Sequence, residues 1–141
     1  MITSVAHLRS AGFRIDMGVS DTVLQRCIEY AERLWLREAI GTTALVAAQA
    51  LAATDPLIKG DDTYSGLLRG LEYIAVSHLL MNDAFASSFG TVQKKDDNSY
   101  NVDPWRLGKE YETIGRTIVR EYADMVGCPY HSQSTTLTES L

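Results

Sequence analysis

Between Asp21 and Ile40 the apolar residues Val23, Leu24, Cys27, Ile28, Ala31, Leu34, Trp35 and Ile40 recur every three or four positions, a spacing that commits the chain to helices. Ser20 and Asp21 stand where an N-cap is needed, and Gly41 stands where a helix can end. The opposite face carries Arg26, Glu29, Arg33 and Arg37, with Glu29 and Arg33 spaced for an i,i+4 ion pair. The same period returns twice. A central helix is expected from about Thr63 to Phe89, with Leu67, Leu71, Ile74, His78, Phe85 and Phe89 on its inner stripe. A last helix opens on Asp103-Pro104 and runs to Val126 on Leu107, Tyr111, Ile114, Ile118, Tyr122 and Val126.

Shorter elements fill the gaps. Ile2 to Gly12 reads as a short helix capped by Thr3 or Ser4, and Thr42 or Thr43 caps an uncharged, alanine-rich helix through Ala53 that Pro56 breaks. Gly66 and Gly70, and then Gly108 and Gly115, are spaced for close approach of another backbone. From Gly90 to Asp103 the pattern changes to Thr91–Lys95, the turn formers Asp96–Ser99, and Tyr100–Val102, which predicts a β-hairpin arm over about 91–103. The expected fold is mainly α, a helical bundle of about four helices with one inserted β-hairpin and a flexible C-terminal tail. One domain covers 1–127, and the Ser- and Thr-rich residues 128–141 form the tail.

Composition narrows the function. Thirteen Lys and Arg against eighteen Asp and Glu give a net charge of −5, the wrong sign for a chain that works by neutralising phosphates. Gly41 to Thr54 carries no charge but is shorter than the roughly 20 apolar residues of a membrane span. The first residues have neither a basic start nor an apolar run, so a reducing cytoplasm is expected, with Cys27 and Cys128 as free structural thiols.

No sequence pattern for a nucleotide loop, a nucleophile elbow or a zinc helix is present, and His7, His78 and His131 are scattered. Glu72 and His78 are six apart, which does not match the Glu-x-x-His pairs of di-iron bundles. His78 reads as a hydrogen-bonded core histidine, and Glu110, Glu112, Glu121 and Asp124 read as a solvated acidic face. The expectation is therefore a chain that is not an enzyme, with no catalytic residue, metal or cofactor. Lys94-Lys95-Asp96-Asp97 makes a charge-dense hairpin tip, suited equally to a partner or to solvent, and Trp35 and Trp105 suit a core or an interface.

A first helix closing in Leu34-Trp35-Leu36-Arg37-Glu38-Ala39-Ile40-Gly41, a long second helix with Tyr64, Leu67, Leu68 and Tyr73, and Gly90-Thr91-Val92-Gln93-Lys94-Lys95-Asp96-Asp97 before a final helix together form the notable pattern. Over residues 1–127 this resembles the head-to-tail connector adaptor proteins of tailed bacteriophages, in the version carried by crAss-like and other Bacteroides-type phages. The resemblance implies a structural virion protein of the phage neck, made in the host cytoplasm. About twelve copies would form a homo-oligomeric ring beneath the portal protein. That ring would meet the next tail or stopper ring protein and pass DNA without reading its sequence, with no membrane contact. It assigns subunit contacts to Val92, Lys94, Lys95, Tyr100 and Val102, and portal binding to the tail through Cys128, Pro129, Tyr130 and His131. On this reading the tail orders only on the portal, so deleting residues 129–141 would leave the fold intact. A non-catalytic helical binding or regulatory module, and a small enzyme whose residues converge only in three dimensions, are the alternatives.

Overall fold

The computed structural model describes residues 1–13, 15, 17–60, 66–82 and 104–131. Their regular structure is helical throughout: α1 (Val5–Arg9), α2 (Asp21–Glu29), a π-helical segment (Tyr30–Leu36), α3 (Arg37–Ile40), α4 (Thr42–Ala50), α5 (Pro56–Lys59), α6 (Leu67–Met81) and α7 (Pro104–Val126). The hairpin expected over 91–103 lies outside the described residues, and no strand occurs among those described.

Helix boundaries follow the local chemistry. Ser4 and Ser20 are extended residues whose hydroxyls accept from the His7 and Val23 amides, so each satisfies an orphan donor of α1 or α2. Asp55 does the same for Leu57 at the start of α5, next to Pro56. Gly41, with φ of 89°, both ends α3 and opens α4, so the cap expected from Thr42 or Thr43 is supplied by a backbone that only glycine adopts readily. The central helix is shorter than expected. It starts after Gly66, at φ 96°, and stops at Met81 because Asn82 is extended; Phe85 and Phe89 lie outside the described residues.

α2, the π segment and α3 run without a break from Asp21 to Ile40, as the periodicity predicts, but the π turn changes which side chains face inward. A wider turn rotates each successive residue less about the axis. Glu32 and Leu36 are thereby fully buried while Leu34, expected inside, is 51% exposed. Glu29, expected to pair with Arg33, accepts from Gln25 Nε2 at 3.3 Å.

α6 is buried almost all round, and its main partner is α7. The contact is set by three glycines. A Cβ on Gly115 would lie 2.8 Å from Ile74 Cδ1 and 3.0 Å from the Gly70 carbonyl oxygen, and one on Gly108 would lie 2.5 Å from Met81 Cγ. A Cβ on Gly70 would in turn lie 3.0 Å from Val119 Cγ2 and 3.1 Å from Ile118 Cγ2. Turning this small-residue ridge toward α6 buries Gly108, Glu112, Gly115, Val119 and Ala123 beside Ile118 and Tyr122 of the expected stripe, while Ile114 and Val126 of that stripe are exposed. Gly66 plays a different part, packing its backbone against that of Gly60.

Glycine-to-alanine exchanges separate these roles. Gly115→Ala meets a backbone oxygen that cannot move aside and is expected to lose about 1–3 kcal/mol in denaturant unfolding. At Gly70 the neighbours are side-chain methyl and methine groups, and alanine's better helix propensity, worth about 1 kcal/mol, offsets the crowding. Gly70→Ala should therefore unfold within about 1 kcal/mol of the parent chain.

Candidate functional site

Two glutamates on different helices are completely buried, Glu32 in the π segment and Glu72 in α6. Both hold the start of the chain. Glu32 Oε2 accepts from the Ile2 amide at 2.8 Å, and its Oε1 accepts from Gln49 Nε2 of α4 at 2.8 Å. Glu72 Oε2 accepts from Thr3 Oγ1 at 3.2 Å and lies 2.5 Å from His7 Nδ1. Arg69, one turn earlier on α6, reaches Glu72 Oε1 at 3.5 Å while donating to the Ala11 carbonyl at 2.9 Å. Its guanidinium sits over the rings of Phe13 and Tyr73, which pack edge-on against each other and against Tyr111 of α7. Residues 2–13 are thus pinned by hydrogen bonds to two buried carboxylates and by an aromatic–guanidinium stack.

A second polar seam runs between the π segment, α6 and α7. Tyr30 stacks on His78 with ring centroids 4.0 Å apart and an interplanar angle of 15°. His78, expected to be a hydrogen-bonded core residue, is half-buried and held by this stack. Burial lowers its pKa below the ordinary 6.5. Burial also raises that of Tyr30, helped by the charges of Glu112 and Glu38. Glu112 is buried and lies 3.8 Å from Lys109 Nζ, unlike the exposed Glu110, Glu121 and Asp124 of the same helix.

The residues expected to begin a free tail are fixed on the domain. Gly127, at φ 77°, turns the chain so that the Cys128 amide donates back to the Ala123 carbonyl at 3.0 Å, the six-to-one bond of a glycine C-cap. Cys128 and Tyr130 are half-buried against the core, and the Arg120 guanidinium lies 5.2 Å from the Tyr130 ring centroid. The His131 amide donates to the Ala39 carbonyl at 2.7 Å, tying the end of α7 to the end of α3. The Tyr130 hydroxyl is buried with no partner among the described residues, and burial raises its pKa against the opposing pull of Arg116 and Arg120. Pro129 and His131 remain exposed. Deleting residues 129–141 therefore removes packed contacts rather than a free tail alone.

Of the other residues singled out by sequence, Val92, Lys94, Lys95, Tyr100 and Val102 lie outside the described residues. Cys27 and Cys128 are free thiols, and burial pushes Cys27 up to about 12. Trp35 is core, whereas Trp105 is half-exposed under Lys109. An open groove of about 500 Å³ between α1 and α2 is lined by Val5, Asp21, Thr22, Gln25, Arg26 and Glu29, a mixed set with no convergent chemistry. Among the described residues no group of three His, Cys, Asp or Glu side chains is placed to hold a metal, and no helix is long and apolar enough to cross a membrane. The chain matches no family model, no curated protein and no solved structure.

The clamp and the seam make separate predictions. Glu72→Ala leaves Thr3, His7 and Arg69 without their acceptor and is expected to cost about 3–5 kcal/mol, as for breaking one side of a buried ion pair. Backbone amide exchange of residues 2–13 should rise in parallel. His78 is held below its unfolded pKa, so its contribution to stability is full above pH 6.5 and is lost as pH falls through the lower folded value. His78→Phe keeps the stack on Tyr30 and removes the titration, and should flatten the fall in melting temperature between about pH 7.5 and pH 5.

Proposed function

We propose that the chain is a structural assembly protein, a head-to-tail connector adaptor of a tailed bacteriophage that forms a ring beneath the portal in the phage neck. The observation that carries this reading is how the deeply buried carboxylates are used. Glu32 and Glu72 accept hydrogen bonds from Ile2, Thr3, Gln49, Arg69 and His7, and so stiffen the scaffold rather than line a cleft. The helical plan and the resemblance over residues 1–127 point the same way. In this role the ledge of Pro129 and His131, anchored by Tyr130, faces the portal, and Val92, Lys94, Lys95, Tyr100 and Val102 meet the neighbouring subunit. The far side of the ring meets the next tail or stopper protein, and the net charge of −5 keeps passing DNA from sticking to the channel wall.

The packing of Cys128–His131 on their own domain favours a second reading, a helical binding module that acts without a portal. Native mass over a wide concentration range, alone and with the portal protein of the same phage, decides between them. A closed assembly of about twelve copies, formed alone or on the portal, is the expected result. A chain that neither assembles nor co-purifies with the portal would retire the connector reading in favour of the binding module.

A further inference from the structure

The Tyr130 hydroxyl is shut off from solvent and meets no hydrogen-bond partner among the described residues. Its ring is nevertheless firmly placed. Tyr130 packs on the core, the amide of His131 donates to the Ala39 carbonyl, and the Arg120 guanidinium lies over the ring, 5.2 Å from its centroid. A buried hydroxyl with no partner carries its full desolvation penalty, and packed proteins rarely leave one so without a reason.

The surrounding groups indicate what kind of partner is missing. Arg116 and Arg120 are four apart on α7, so their side chains rise from one face of that helix. Burial raises the Tyr130 pKa, the two arginines pull it down, and Glu112, which also lies 3.8 Å from Lys109 Nζ, adds a smaller push upward. The hydroxyl is therefore a protonated donor in a locally positive field, on a chain whose net charge is −5.

We propose that an oxyanion, a phosphate group or a carboxylate, docks at the end of α7, accepting a hydrogen bond from the Tyr130 hydroxyl beside the Arg116 and Arg120 guanidinium groups. A cation would be repelled there, and a neutral acceptor would satisfy the hydroxyl but gain nothing from the arginines. Hydrogen bonds to an ionised acceptor are about twice as strong as neutral ones, and a guanidinium lying over a ring keeps its N–H edge for such an acceptor. Access is short. Arg120 is exposed, as are Pro129 and His131 on either side of Tyr130, so movement of the Arg120 side chain opens the way to the hydroxyl without unfolding. The net charge of −5 disfavours a long polyanion but is screened beyond about 10 Å, which leaves a single site to its own neighbours. The inference does not rest on the connector reading, since a free anion and an acidic partner meet the same groups.

Thermal unfolding of the full chain tests it, first in a low-salt buffer without oxyanions and then with inorganic phosphate, acetate or chloride at matched ionic strength. The parent is compared with Tyr130→Phe and Arg120→Gln, each checked for parent-like helicity. Without oxyanion, Tyr130→Phe is expected to melt at or above the parent, because it deletes an unmet hydroxyl and keeps the ring. Phosphate, acetate or both should raise the parent's melting temperature saturably while chloride does not, and both variants should lose most of that rise. A rise with phosphate alone assigns the site to phosphate groups; an equal rise with acetate assigns it to carboxylates, such as those of an acidic partner. A Tyr130→Phe chain that melts well below the parent without oxyanion would show that the hydroxyl already has a partner within the chain, and would overturn the proposal. So would a parent that neither phosphate nor acetate stabilises, its hydroxyl then being met by water, or a rise that both variants share, which is an effect of salt and not of a site.

Discussion

Close contact between α6 and α7 is the constraint from which the rest of the molecule follows. Gly108 and Gly115 let the α6 side chains and the Gly70 carbonyl reach the α7 backbone, and the long final helix seals one whole side of α6. With the π segment, α2 and α5 on its other sides, α6 loses its contact with water almost completely. A helix buried on every side is expected to be apolar on every side. Glu72 breaks that rule, so its carboxylate must find partners inside the protein or be desolvated at a cost of several kcal/mol.

Those partners come from the start of the chain, which is held by these polar contacts together with the core side chains Ile2, Leu8 and Phe13. Thr3 and His7 supply donors to Glu72, and the Ile2 amide supplies one to Glu32, whose other partner, Gln49, is also neutral. A carboxylate with two neutral donors is less well compensated than one beside a guanidinium. The two clamps are therefore unequal: Glu72 is held within a cationic and aromatic setting, Glu32 by geometry alone. The π segment is what makes the second clamp possible, because it turns Glu32 inward at the point where Ile2 and Gln49 converge.

Local signals were legible in the sequence. The Ser20 cap, the stop at Gly41, the helix start at Pro104 and the close-packing glycines Gly70, Gly108 and Gly115 each depend on one or two residues and their immediate spacing. The π turn was not legible, since a one-residue change in hydrogen-bond register leaves no mark on composition; its only trace was the burial of Glu32 and Leu36 in place of Leu34. Nor was the docking of residues 128–131. The bond from the His131 amide to the Ala39 carbonyl joins two backbones 92 positions apart and needs no particular side chain, so a polar, Pro-containing stretch after a helix stop reads as a tail. Glu112 was misread for a related reason: an acidic helix hides one buried carboxylate among its exposed ones until the glycine ridge beside it fixes which face turns in.

Segments fastened before α2 and after α7 suit a subunit that repeats, as the proposed connector would. In a closed assembly a small error in the angle between neighbours accumulates around the circle, so a subunit that flexes at its ends closes poorly. Residues 2–13 are fixed on Glu32 and Glu72, and residues 128–131 on α7 and Ala39. The scaffold that results presents surfaces whose relative directions are set by α6 and α7 rather than by loops. The entropy lost on docking is smaller for a surface already held in place, and a weak contact on a rigid body carries orientation that a stronger contact on a mobile one does not.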